Sequence, residues 1–374
     1  MKELLPRLIY LSPLPWSSFE QRPHKFVKWF HSRTGGEVLW VDPYPTRLPV
    51  FTDIKRISTS LSRVASKKPS WLEVVRPTAL PIEPLSRSGS VNRFLWRKTL
   101  NKILEFSCHD DAIIAFGKPS ALANQVLDML PGITSIYDAM DDFPSFYDGV
   151  SKYAMKAMIA NETQLVKRVN TLLVSSSVLL NRWSVVRPDA KLIPNGLDVD
   201  MLPSEGARSQ AVNSPFRFGY VGTIGAWFDW SWLVKLAESR PADDILVVGP
   251  LLKEPPRGLP SNIALKPACS HFDALVLMKS FDVGLIPFVN NKLTSSVDPI
   301  KYYEYRALGV PVLSTSFGEM SLRNDEPGTY ISKSYDDIQD LTSQALEWFF
   351  TQSQVKEFAA TNSWCSRFDG IGLC

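Results

Sequence analysis

The sequence predicts an α/β protein of two Rossmann-like, doubly wound domains facing each other across a cleft. Three observations predict it. Short, continuous apolar runs alternate with helix-length stretches, the pattern of a parallel sheet buried on both faces. The alternation breaks in a turn-rich segment, KLIPNGLDVDMLPSEGARSQAVNSP (191–215), and then starts again. The length, 374 residues, exceeds what one hydrophobic core usually organises.

In the first half, RLIYLSP and EVLWVDP read as buried strands flanking the helical RPHKFVKWFHSR. AIIAFG, SIYDA and TLLVSS follow, spaced by helical lengths such as YAMKAMIANETQLVKRV. Residues 45–105 fit less well and are expected to form an insertion or surface helices. After the linker come FRFGYVG, a helix from about Trp227 to Ser239, and the strands DILVVGP and NIALKP. A helix around Phe272 to Lys279 and the strand DVGLIPF lead to a helix opened by Asp298–Pro299 and closed by Gly309 and Pro311, with VPVLST after it. The domains are therefore placed at 1–205 and 206–350.

Composition narrows the class. The chain is 45% apolar and 21% charged, ordinary for a globular protein. Four scattered cysteines (108, 269, 365, 374) give neither a disulfide framework nor a metal-ligand spacing, so reduced thiols in the cytoplasm are expected. The N-terminal MKELLPRLIYLSPLPW reads as a first strand rather than an export signal, and no run approaches the roughly 20 apolar residues of a membrane span. Residues 1–107 carry 18 Lys and Arg against 8 Asp and Glu, although the whole chain is only +3. A basic first part suggests an electrostatic task for it.

GYVGTIGAWFDW places Gly219, Gly222 and Gly225 at the end of a strand just before a helix, a weak sign of a phosphate-holding turn. A dinucleotide reading fails, since the next strand ends in Gly249–Pro250 where an acidic ribose ligand is needed. The helix after Asp298–Pro299 supplies what that strand lacks. Lys301 and Glu304 lie three apart and project to one side. A carboxylate accepts hydrogen bonds from two vicinal ribose hydroxyls, an ammonium neutralises a diphosphate, and the helix start at Asp298 turns N–H groups toward phosphate oxygens. A plain surface ion pair is the competing reading.

These residues resemble a known family. YYEYRALGVPVLST is similar to the E-A-x-A-x-G-x-P-V segment of GT-B glycosyltransferases, especially the family 4-like enzymes of bacterial surface-polysaccharide synthesis. IPNGLD, FGYVGTIGAWFDW, FDVGLIPF and a terminal NSW match the same group in the same order. SPLPWSSFEQRPHKF and IYDAMDDFPSF match in the N-terminal half. The resemblance implies a GT-B fold, an acceptor bound by the first domain, and a nucleotide-sugar donor bound by the second. It also implies that 351–374 crosses back to the first domain. Glu304 then binds the donor ribose, and Lys301 with Gly222, Thr223 and Gly225 holds the diphosphate. Trp227 and Asp229 sit where the donor sugar would lie. One departure matters: the second Glu that many members carry eight positions upstream is Ser296 here. The glycine-rich loop after the first strand is also missing, leaving Arg22 and Asp298 as candidate phosphate or acceptor contacts.

The implied activity is metal-independent transfer of a sugar, with retention, to a lipid-linked saccharide of O-antigen, capsule or exopolysaccharide synthesis. No cofactor is expected beyond the nucleotide sugar as substrate. Asp138, Asp141 and Asp142, just beyond a first-domain strand, are candidates for the base or acceptor anchor. Asp198–Asp200 forms a DxD, but its place in the linker argues against a metal site. His24 faces either the cleft or the core, and His271 either approaches the donor or caps the following helix, the core and cap readings being the preferred ones. KRISTSLSRVASKK and VNRFLWRKTLNK, with Phe94, Leu95 and Trp96, fit peripheral docking on an anionic inner leaflet. No nucleic-acid module is present. A GT-B nucleotide-sugar epimerase and an inactive nucleotide-sugar-binding subunit remain alternatives.

Overall fold

A computed structural model describes residues 5–46, 68–83, 88–108, 111–147, 151–203 and 215–373. The chain divides into two compact units, Met1–Ile193 with Phe368–Cys374, and Pro194–Arg367. The division falls earlier than the expected 205/206. The PNG segment is bonded into the second unit, where Asn195 N–H donates to Asp298 Oδ2 (2.7 Å) and Leu197 N–H to Asn362 O (3.0 Å). Of the stretch 351–374, only Phe368–Cys374 groups with the first unit.

Among the described residues, the first unit holds a seven-stranded parallel sheet. Its strands are β1 (Arg7–Leu11), β2 (Glu37–Val41), β3 (Leu72–Val75), β4 (Ala112–Phe116), β5 (Thr134–Ala139), β6 (Thr171–Val174) and β7 (Lys191–Leu192). Their order is β3-β2-β1-β4-β5-β6-β7. The edge strand β3 lies inside the stretch expected to be an insertion or surface helices. Its four residues, LEVV, are too short to stand out from the prolines and basic residues around them.

Alternation along each strand sends side chains to two layers. On one face Ile9, Leu11, Leu39, Val41, Ile114 and Phe116 pack with Trp96, Leu100, Ile103 and Val126. On the other, the ring of Tyr10 lies 5.5 Å from those of both Phe26 and Trp40. Phe26 belongs to the helix Arg22–Thr34, which starts on a Gln21–His24 capping box and ends where Gly35 turns left-handed at φ 67°.

The second unit repeats the order in six parallel strands: β8 (Arg217–Val221), β9 (Asp244–Val248), β10 (Ile263–Lys266), β11 (Val283–Ile286), β12 (Val312–Thr315) and β13 (Thr329–Ser332). They run β10-β9-β8-β11-β12-β13. Val221, Val248 and Ile286 face the helices His271–Lys279 and Ile300–Ala307. Phe218, Tyr220, Val247 and Leu285 face the helices Trp230–Ser239 and Ile338–Glu347. The strand order reverses between β8 and β11, so a ligand crevice is expected beyond their carboxyl ends.

Two glycines pair across that point, Gly219 of β8 with Gly284 of β11. A Cβ on Gly284 would sit 2.5 Å from the Tyr305 ring, whose hydroxyl donates to Gly219 O (3.0 Å). Tyr305 therefore packs against β11 because Gly284 lacks a side chain, and the missing Cβ of Gly219 leaves room for Phe281, whose ring it would meet at 2.2 Å. Gly284→Ala is expected to cost about 1–3 kcal/mol by overpacking, read as a lower urea midpoint. An unchanged midpoint would show that the helix Ile300–Ala307 shifts freely.

Candidate functional site

In a parallel sheet each helix that returns to the next strand starts at the carboxyl edge. Three starts gather there in the second unit: Trp230 after β8, His271 after β10 and Ile300 after β11. Their unpaired N–H groups make this edge favourable to anions. The loop 222–230 is pinned across the switch point by backbone bonds. Gly222 N–H donates to Val248 O (2.9 Å), Ile224 N–H to Pro250 O (3.0 Å), Asp229 N–H to Pro287 O (2.7 Å), and Val289 N–H to Trp227 O (2.8 Å). The Tyr220 hydroxyl donates to Thr223 O (3.0 Å), and a Cβ on Gly225 would run into the Trp227 ring at 2.6 Å. The expected donor loop residues Gly222, Thr223, Gly225 and Trp227 thus share one rigid turn. Asp229 belongs to it too, but one of its oxygens caps the helix by accepting from Trp232 N–H (3.0 Å).

Lys301 and Glu304 do meet. The ammonium donates to Glu304 Oε2 (2.5 Å), and His271 Nε2 lies 2.8 Å from Oε1. Glu304 is only 4% exposed. Burial alone would raise its pKa, but the charge of Lys301 and the hydrogen bond from His271 hold the carboxyl below its usual range. Each oxygen has one partner among the described residues and keeps a second acceptor position. Such a carboxylate stays ionised at neutral pH and can receive two further donors. His271 was expected to cap its helix or approach the donor. Ser270 performs the capping, accepting from Asp273 N–H (3.1 Å). The S-x-x-D pattern, Ser270 to Asp273, was the signal that left the imidazole available.

Asp298, expected as a phosphate or acceptor contact, faces inward. Its carboxylate receives Asn195 N–H (2.7 Å), the Tyr303 hydroxyl (2.9 Å) and Arg323 Nη2 (2.6 Å). It ties the PNG segment to the start of the helix Ile300–Ala307 and so fixes where Lys301 stands. Arg22 likewise faces inward. It is 2% exposed, and its Nε and Nη2 grip Asp138, itself fully buried, at 2.8–3.0 Å. Its Nη1 donates to Ile193 O (2.8 Å). Arg22 and Asp138, expected as an acceptor contact and a base, form a buried interior ion pair.

The same β5 edge separates the other two aspartates. Burial would raise Asp142, but Arg182 holds it with two bonds (2.7 and 2.6 Å) and Ser145 adds a third, leaving its carboxyl below the usual range. That makes Asp142 a weak base. Asp141 is half-buried, and among the described residues its carboxyl makes no hydrogen bond or ion pair. Burial raises its pKa to about 7; Arg22 opposes the rise, while Asp138 and Asp142 add to it. Only Asp141 of the three combines access with basicity near neutral pH. His24 is a core residue, as expected. It is buried against Trp16 and Trp40, and burial lowers its pKa.

Among the described residues no cluster of three or more His, Cys, Asp or Glu is arranged to hold a metal ion. Asp198 and Asp200 lie at the short 3-10 turn Val199–Met201.

No family model matches the chain. A curated relative, TuaH of Bacillus subtilis (strain 168), carries the name teichuronic acid biosynthesis glycosyltransferase. It is 24% identical over 216 residues, covering 50% of this chain and 51% of that protein. The chain thus spans about half the length of this curated relative. Solved structures match over the whole length. Sucrose-phosphate synthase from Thermosynechococcus elongatus superposes with a TM-score of 0.68 at 14% identity, covering 98% of this chain and 97% of that one. The lipopolysaccharide outer core galactosyltransferase WaaB gives 0.60 at 12% identity, over 97% and 98%. The E. coli trehalose-6-phosphate structure bound with UDP-2-fluoro glucose gives 0.59 at 11%, over 98% and 99%. With two parallel sheets of this order and matches end to end, the chain has the GT-B fold.

Proposed function

We propose that the protein is a glycosyltransferase of bacterial surface-polysaccharide synthesis. The second unit holds a nucleoside diphosphate sugar, and a hexosyl group passes with retention to a lipid-linked saccharide bound by the first. The observation that carries this reading is the buried Glu304 carboxylate, flanked by Lys301 and His271 among three helix starts. Glu304 accepts the ribose hydroxyls. Lys301 and the N–H groups at the start of its helix face the diphosphate. The anomeric C–O bond breaks toward the nucleoside diphosphate, whose added negative charge these groups stabilise. A new C–O bond forms to the acceptor hydroxyl on the same face of the sugar that the nucleoside diphosphate leaves, which keeps the anomeric configuration, and Asp141 takes the hydroxyl proton. The name of TuaH supports the polysaccharide context.

A thermal-shift screen against UDP-, GDP- and dTDP-sugars tests the donor half, since a bound ligand raises Tm by mass action. One nucleotide series is expected to shift Tm, and no shift with any would remove the donor site. Transfer of labelled sugar to a lipid-saccharide extract tests the rest. Asp141→Asn is expected to lower transfer about 10²–10⁴-fold with donor affinity unchanged. Because the base works only when ionised, the wild-type rate should rise with pH through about 7. Binding without transfer would favour the inactive-subunit reading, and donor conversion without acceptor the epimerase.

The first unit also carries the proposed contact with an anionic leaflet at the inner face of the cytoplasmic membrane. No helix among the described residues is long and apolar enough to cross a membrane. The segment 55–67 of the first basic run lies outside the described residues. In the second, Phe94 is 78% exposed beside the exposed Arg93, Arg97 and Lys98. Trp96 is instead buried in the core, 5.2 Å from the Tyr44 ring, so the apolar wedge is smaller than expected. A Phe94→Ser, Arg97→Glu double variant should bind phosphatidylglycerol vesicles about tenfold more weakly in co-sedimentation, given roughly 1 kcal/mol per basic residue near the surface. Equal binding would count against docking through this segment.

A further inference from the structure

We propose that His271 is a positioning residue for the Glu304 carboxylate, and that it sets how strongly the site prefers a ribonucleotide to its 2′-deoxy counterpart. The inference rests on the ribose role assigned to Glu304. The terminal torsion of a glutamate is broad, so a carboxylate held at one oxygen can still turn. Lys301 alone is such a hold: a point charge on a flexible stem, three residues away on the same helix. His271 takes the other oxygen from a separate helix, at 2.8 Å.

Two donors from two elements fix the carboxylate plane. The remaining acceptor positions then stay aligned for two neighbouring hydroxyls. The imidazole has no competing duty at its helix start, which Ser270 caps. Its side chain is 44% exposed, while that of Glu304 is 6% exposed, so His271 forms the rim and the carboxylate the floor.

Isothermal titration of the full chain with UDP, dUDP, GDP and dGDP tests this. Whichever base binds, the wild type is expected to prefer the ribonucleotide about tenfold, the worth of one hydroxyl bonded to a charged acceptor. Glu304→Ala should erase the preference. His271→Ala should cut it to about threefold or less, and His271→Gln, which still offers an N–H, should restore most of it. Thermal unfolding of the His271 variants should stay near wild type, because the ring is half-exposed and caps nothing. If His271→Ala keeps the full preference while Glu304→Ala loses it, His271 is idle and the ribose role stands. If Glu304→Ala keeps the preference, both fall together.

Discussion

Glu304→Ala is expected to abolish measurable sugar transfer and to weaken nucleotide-sugar binding by about 10²–10⁴-fold. The estimate follows from two hydroxyl hydrogen bonds to a charged acceptor, each worth about 1.5–3 kcal/mol, at 1.4 kcal/mol per tenfold. The loss is larger than that of a surface contact because the carboxylate is only 4% exposed. Its removal also strands the Lys301 ammonium and the His271 ring beside each other. Glu304→Gln keeps the shape but loses the charge and offers only one carbonyl oxygen, so it should fall between alanine and wild type. Calorimetric titration with the nucleotide sugar that shifts Tm reads the affinities. A Kd for Glu304→Ala within about threefold of wild type, well under 1 kcal/mol, would remove the ribose assignment.

The second large effect is on stability. Arg22→Ala should destabilise the fold by about 3–5 kcal/mol, because it leaves the Asp138 carboxylate charged and unpaired in the interior. Both side chains are almost fully buried, at 2% and 0% exposure. The guanidinium also reaches Ile193 O, and its carbon lies 5.6 Å over the Phe368 ring, so packing is lost together with the charge pair. Urea unfolding of Arg22→Ala, Asp138→Ala and the double variant reads the coupling. The double variant should be much less destabilised than the sum of the single ones. Additive effects would show that the pair does not act as a unit. Were Asp138 the catalytic base, Asp138→Asn would stop transfer and leave the unfolding midpoint alone. The ion pair predicts the opposite order, with stability falling first.

Local patterns were legible in the sequence, and long-range partners were not. The helix start at Asp298–Pro299 and the adjacency of Lys301 and Glu304 follow from helical spacing alone, and the structure places both on Ile300–Ala307 or at its threshold. Continuous apolar runs announced strands buried on both faces, and apolar layers on each side of the second sheet bear out that burial, from Phe218 and Tyr220 on one side to Val221 and Val248 on the other.

No spacing rule, by contrast, pairs Arg22 with Asp138 across 116 residues, or Asp142 with Arg182. The three aspartates of YDAMDD therefore looked equivalent, although their surroundings separate a buried ion-pair partner, a carboxylate held by Arg182 and a half-buried carboxyl raised to about 7. Trp96 sits among basic residues in the sequence and reads as surface. It goes inward because Leu100 and Ile103, on the helix that starts after it, face the same core. The linker looked long by composition, yet its PNG portion is hydrogen-bonded to Asp298 and behaves as part of the second unit.

The most direct measurement is a structure of the full chain in complex with the nucleoside diphosphate that gives the largest thermal shift. The ribose hydroxyls should lie about 2.5–3.0 Å from the Glu304 oxygens, with the diphosphate over Lys301 and the first turn of Ile300–Ala307. A nucleotide bound elsewhere, with Glu304 still engaged by Lys301 and His271 alone, would contradict the account.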